Sequence, residues 1–213
     1  MKRLLVFSFL LLCFSCDNSG EERDDGGGTD PTDEEKTEER LETGGNAAKS
    51  GDYTAAIAAF QESLNTATKP EHISAAHTGI GFSQMRIASS NSSGLNDAYT
   101  SVQNALAQST NSDVSNQAKS IKTLLDYAYK KNYQEAIRLG NEIMTSEPNF
   151  EFKLDAKLNI KDVVIHKALS EYATKQFEAC LASIRFIDPN YPNPQKLEDD
   201  LRKKLEELVS EHN

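Results

Sequence analysis

Few side chains in this sequence could carry out chemistry, and their spacing argues against it. The histidines are His72, His77, His166 and His212, and the cysteines are Cys13, Cys16 and Cys180. A metal site needs several ligands converging at fixed geometry. His72 and His77 stand five apart, off the three- and four-residue spacings that share a helix face, and no carboxylate cluster accompanies them. A nucleophilic cysteine needs an electropositive, partly open setting. Cys180 instead sits among Phe177, Leu181 and Ile184 at helical spacing, the pattern of a packing residue. Gly26–Gly28 lacks the Lys-Ser/Thr that completes a phosphate loop, and no Gly-x-Ser-x-Gly elbow occurs. These residues argue for no catalysis, no metal and no cofactor.

Two groups could serve recognition instead. Lys153, Lys157 and Lys161 are four apart and read as a row along a helix, beside Leu154 and Leu158. Tyr127, Tyr129, Lys130 and Lys131 gather near the end of the preceding first helix. Together they would offer charge and aromatic contact to an acidic peptide, although a solvated helix face is the plainer reading of the lysine row. The net charge of −10 leaves no basic footprint for nucleic acid.

The start of the chain carries the most specific pattern. Met1-Lys2-Arg3 is basic, and Leu4 to Phe14 is apolar apart from Ser8, a run of 11 residues. Crossing a hydrocarbon core takes about 20 helical residues, so this run has the length of a signal-peptide core. It ends in Cys13-Phe14-Ser15-Cys16 and turns polar at once with Asp17-Asn18-Ser19-Gly20. This resembles the lipobox of bacterial lipoproteins, with Cys13 where Leu is usual. The resemblance implies that residues 1–15 are removed and that Cys16, carrying lipid, becomes the new N-terminus. Cys180 would then be the only cysteine left for pairing, so packing alone must hold the fold.

Residues 16–33 read as an acidic, disordered tether. From Asp17 to Arg40 there are eleven acids against three bases, a net of −8. With Lys2 and Arg3 counted, residues 41–213 are left with only −4. The stretch to Asp33 has no large apolar residue with which to offset its ordering entropy. Anionic headgroups repel it, so it should hold the helical part of the chain away from the membrane.

From Glu34 onward the pattern is helical, with no alternating strand signature. Tyr53, Ala56, Ile57 and Phe60 set an aromatic ahead of apolar residues three, four and seven on. Looser copies start at Leu95, Tyr133 and Phe177, at spacings of 42, 38 and 44. Gly140 replaces the large residue expected in the third copy. A helix with such a face needs a partner, and apolar stripes lie upstream: Glu34 to Lys49, Ile73 to Met85, Val114 to Ala128, and Leu154 through Leu158 and Ile165 to Tyr172. Breaks fall at Lys69-Pro70, Ser89 to Gly94, Ser109 to Ser112, Glu147-Pro148-Asn149 and Asp188-Pro189-Asn190. Asn193-Pro194 predicts the start of a last helix, with Leu197, Leu201, Leu205 and Leu208 on one face.

These residues resemble the tetratricopeptide repeat. Ala56 and Phe60 match its small residue with an aromatic four later, and His77, Ile80 and Gly81 match the spacing of its W-x₂-L-G. Pro148 and Pro192 lie twelve after Ala136 and Cys180, where the family places proline. The chain has no Trp, and its spacing exceeds the family's roughly 34 residues. The resemblance covers residues 34–192 and implies an all-α short solenoid of about four antiparallel helix pairs, with residues 193–213 as a capping helix. It also implies that first helices line a groove for a protein or peptide. The expected function is a membrane-anchored interaction scaffold of the bacterial envelope, with the outer membrane favoured over the inner. The alternative is a structural or carrier lipoprotein that self-associates or holds a small ligand. Asp17 after Cys16 also resembles an inner-membrane retention signal, so the choice of membrane stays open.

Overall fold

A computed structural model of the chain describes residues 31–88 and 92–212. The apolar start, Cys16 and the acidic stretch to Asp30 lie outside the described residues. The described part is all-helical: α1 (Asp33–Ser50), α2 (Tyr53–Leu64), α3 (Pro70–Ala88), α4 (Ser92–Gln108), α5 (Ser112–Leu125), α6 (Tyr133–Ser146), α7 (Ile160–Ala173), α8 (Phe177–Ile187) and α9 (Leu197–His212). A π-helical turn, Asp126–Lys130, extends α5. Among these residues no helix is long and apolar enough to cross a membrane.

Local chemistry sets the helix ends. Thr32 and Glu35 form a capping box: the Glu35 N–H donates to Thr32 Oγ1 at 3.2 Å and the Thr32 N–H to Glu35 Oε2 at 2.7 Å. Asp52 and Asn111 cap α2 and α5 through their side chains. Three turns share one device. Gly51, Lys131 and Lys175 take left-handed backbones, and each lies two residues before the aromatic that opens the next helix, Tyr53, Tyr133 and Phe177. The closing bonds run from Asp52 N to Ala47 O, from Gln176 N to Glu171 O, and from Asn132 N to Asp126 O. The last spans one residue more because the π turn holds an extra residue. That turn also rotates Ala128 into solvent, away from the stripe of Ala118, Ile121 and Leu125.

Each helix packs on the next, and the odd helices also pack in succession, α1 on α3, α3 on α5, α5 on α7 and α7 on α9. Small residues permit the closest approaches. A Cβ on Gly44 would lie 2.8 Å from one edge of the Phe60 ring and a Cβ on Gly79 2.3 Å from the other. Phe60 of α2 is thus wedged between α1 and α3. Gly140 is explained likewise: a side chain there would strike the buried stem of Lys167. One apolar cluster joins α1 to α5 with residues 150–163, and a second joins α7, α8 and α9 around Ile165, Cys180, Ile184 and Leu205.

Three sequence expectations fail here. The helix drawn through Leu154 and Leu158 is absent, and α7 begins only at Ile160. Asn159 and Asp162 form a capping box, the Asn159 N–H donating to Asp162 Oδ2 at 2.9 Å, which stops the helix from extending backward. The last helix starts at Leu197 rather than after Asn193, because the Asp200 carboxylate accepts the Gln195 and Lys196 N–H groups at 2.9 and 3.0 Å. The break expected from Ser89 to Gly94 is shorter: α4 begins at Ser92.

Candidate interaction face

The residues that replace the missing helix build the most informative surface. From Phe150 the chain runs out and back as a narrow hairpin, with Glu151 bridged antiparallel to Asn159. The Phe152 N–H donates to Leu158 O, and the Ile160 N–H to Phe150 O, both at 2.9 Å. This segment lies across the odd helices. Gln117 of α5 holds its backbone at two points, Nε2 donating to Glu151 O at 3.1 Å and Oε1 accepting the Lys153 N–H at 2.8 Å. Phe152 packs on Phe82 of α3 with ring centroids 4.9 Å apart, and Tyr53 meets the Phe82 edge at 5.9 Å. Leu154 rests by Gly45 of α1, while Arg86 of α3 pairs with Asp155.

Phe150, Phe152 and Leu158 are buried, each contributing roughly 1.5–3 kcal/mol by leaving water. The rim ion pairs, Arg86–Asp155 and Lys153–Asp113, contribute little because they are exposed. Beside Phe152 lies a largely apolar cavity of about 160 Å³, lined by Leu41, Phe60, Ala75, Val114 and Leu154 among others.

The expected lysine row therefore does not exist as a helix face. Lys153 and Lys157 lie in the hairpin and only Lys161 is helical, in the first turn of α7. Tyr127 and Lys130, expected to act together, point apart. Lys130 Nζ sits 4.8 Å from the Tyr99 ring and 3.0 Å from Asn96 Oδ1, toward α4. Tyr127 turns the other way, meeting the His166 ring edge-on at 5.6 Å and Tyr133 at 6.0 Å. There it borders a cleft of about 420 Å³ between the π turn, α7 and α9, with Leu169, Tyr172, Arg202, Leu205, Glu206 and Val209. Sequence reading missed this cleft, because Tyr172, Arg202 and Val209 come from two helices whose pairing no local pattern declares.

Two buried ionic networks lie behind this face. Lys122 Nζ reaches Asp126 Oδ2 at 2.5 Å, the Tyr99 hydroxyl donates to Asp126 Oδ1 at 3.1 Å, and Glu135 stands 3.4 Å from the same ammonium. Burial pushes the Asp126 carboxyl above its usual range, against the lowering effect of Lys122. The Arg138 guanidinium holds Glu135 down at about 2. On α7, Lys167 Nζ donates to Glu171 Oε1 at 2.6 Å and to Ser183 Oγ at 2.7 Å, and Ser183 donates to Glu171 Oε2 at 2.6 Å. A Ser–Lys–Glu contact invites a catalytic reading, but all three side chains are buried and closed on one another. They satisfy each other's polarity between α7 and α8. Cys180 is fully buried beside them, and burial, with the Glu171 charge nearby, pushes its thiol up to about 12. A thiol so protonated is a poor nucleophile. His77 and His166 are half-buried, burial holding both below the usual histidine range, and no metal-ligating cluster occurs among the described residues. The arrangement can grip an extended backbone and apolar side chains.

No known family model, curated protein or solved structure matches the chain.

Proposed function

We propose that this chain is a tetratricopeptide-like lipoprotein of the bacterial envelope, a membrane-anchored scaffold that binds a protein or peptide on its odd-helix face. In this reading the pairs α1/α2, α3/α4, α5/α6 and α7/α8 stack as a short α-solenoid, and α9 caps it. The succession of odd-on-odd packing supports that arrangement. So does the shared left-handed turn before Tyr53, Tyr133 and Phe177. Cys16 carries the lipid, residues 1–15 are lost on export, and the stretch from Cys16 to the Thr32 cap of α1 forms the tether.

The observation that carries the binding role is the face itself. It already holds an extended segment by its backbone through Gln117. Beyond that segment it leaves an open cleft bordered by Tyr127, Leu169 and Tyr172. Tyrosines beside half-buried apolar side chains such as Leu169 and Val209 are the usual anchors of protein interfaces. The test is a crosslinking pull-down from the native envelope, comparing wild type with a Tyr127→Ser, Tyr172→Ser variant. The reading expects one reproducible protein to disappear from the variant's partners. An identical set of partners from both chains would remove the role from this face. Self-crosslinking alone would favour the structural alternative.

A further inference from the structure

We infer that the face of α1, α3 and α5 is a groove for an extended apolar segment, and that residues 150–158 occupy it in cis, where a partner's segment of like chemistry can replace them. The inference deepens the scaffold reading and rests on it.

Three observations point this way. First, Gln117 recognises backbone: its amide nitrogen donates to a main-chain carbonyl of the segment, and its oxygen accepts a main-chain N–H. Any extended chain in that register would satisfy it, as in the addition of a strand to a sheet edge. Second, the segment arrives as an insertion between α6 and α7, flanked by Pro148 and the Asn159–Asp162 capping box. The capping box starts α7 through its own side chains, and the bond from the Ile160 N–H to Phe150 O closes the base of the hairpin. Third, the fit is incomplete. The cavity of about 160 Å³ beside Phe152 is largely apolar, reaches Phe60 and Leu41, and has room for a larger side chain than Leu154 supplies.

The replacing segment is defined by the same contacts. It is extended and carries an aromatic at the position of Phe152, against Phe82. Two residues on, it carries a side chain larger than Leu154, entering the cavity. One residue further it carries an acid, which takes Asp155's place on Arg86. The cis segment competes at the millimolar effective concentration of a short tether, so free partner binds weakly unless the hairpin lifts.

The test uses the full chain with residues 150–158 replaced by glycine and serine at equal length. The probe is a fluorescent synthetic peptide of residues 147–161, monitored by polarisation. We expect saturable binding to the replaced chain and at least tenfold weaker binding to wild type. Phe152→Ala in the peptide should abolish binding. Leu154→Phe should tighten it several-fold. A replaced chain that melts cooperatively but does not bind the peptide overturns the inference. Equal or weaker binding of the Leu154→Phe peptide removes the cavity from it. If the replaced chain does not fold, hydrogen exchange on wild type decides. Amides of Phe152, Lys153 and Ile160 should exchange through local opening while α3 and α5 stay protected. Exchange of those three only with global unfolding overturns the inference. Peptide binding without any envelope partner would refute the scaffold role and leave the groove standing. A partner lost with Tyr127 and Tyr172 but no peptide binding would do the reverse.

Discussion

Adjacent glycines in α1 should respond to the same substitution with opposite sign. Alanine is about 1 kcal/mol better than glycine inside a helix. At Gly45 the added Cβ meets only Leu154 Cδ2 at 3.6 Å, an ordinary contact, so Gly45→Ala should stabilise by up to about 1 kcal/mol. At Gly44 the Cβ falls 2.8 Å from Cδ1 and Cε1 of Phe60. Carbon atoms rest at about 3.5–4.0 Å, so the ring must retreat by close to an ångström. It cannot, because its opposite edge already faces Gly79 at 2.3 Å from that residue's would-be Cβ. Overpacking costs about 1–3 kcal/mol, which outweighs the helix gain and leaves Gly44→Ala destabilised by about 1–2 kcal/mol. For a chain of this size that is a fall in Tm of about 2–8 °C. Urea and thermal melts monitored by circular dichroism would measure both variants. Phe60→Leu should restore most of the loss in the Gly44→Ala background, giving a coupling energy of about 1 kcal/mol or more. Two variants shifted in the same direction, or no coupling to Phe60, would refute the wedge.

The buried polar groups have consequences of their own. Lys167→Met strands the Glu171 carboxylate in the interior and should cost about 3–5 kcal/mol, whereas Lys167→Met with Glu171→Leu should come out near neutral; chemical denaturation of the two separates them, and equal losses would argue against a buried pair. Cys180, with its thiol pushed up to about 12, should resist maleimide at pH 8 in the folded chain and react fully in urea; fast native labelling would contradict its burial. Histidines 77 and 166 are held below their usual pKa by burial, so the unfolded chain binds more protons below about pH 6.5, and stability should fall as pH drops through that range. Glu135, at about 2, adds a further loss between about pH 4.5 and 2. Urea midpoints at pH 8 and 5 check the histidine part, which His166→Gln should reduce; a midpoint unchanged between them would refute it.

Much of the helical frame is legible in the sequence because its signals are local. Lys69-Pro70, Glu147-Pro148 and Asp188-Pro189 break helices where the chain breaks them. The aromatic-led copies at Tyr53, Tyr133 and Phe177 open α2, α6 and α8. Cys180 is readable as packing from its neighbours alone. The hairpin is misread because Leu154 and Leu158 are four apart and mimic a helix stripe. Phe150, Phe152 and Leu154 in fact alternate with Glu151, Lys153 and Asp155, the period of extended chain. Asn159 three before Asp162 also announces a helix start that the apolar stripe masks. The π turn leaves no such trace. Its extra residue shows in the bond from Asn132 N to Asp126 O, one residue longer than the bonds that close the turns after α1 and α7. The cleft beside Tyr127 is hidden in the sequence too, since α9 supplies half of it.

The central claim is that the odd-helix face meets another protein at the envelope. Its most direct test places a photoreactive phenylalanine analogue at Tyr172, in the cleft, or at Phe186, an exposed residue of α8, and irradiates living cells. We predict one discrete heavier adduct from position 172 and none from position 186. No adduct from 172, or the same adduct from both positions, would contradict the claim.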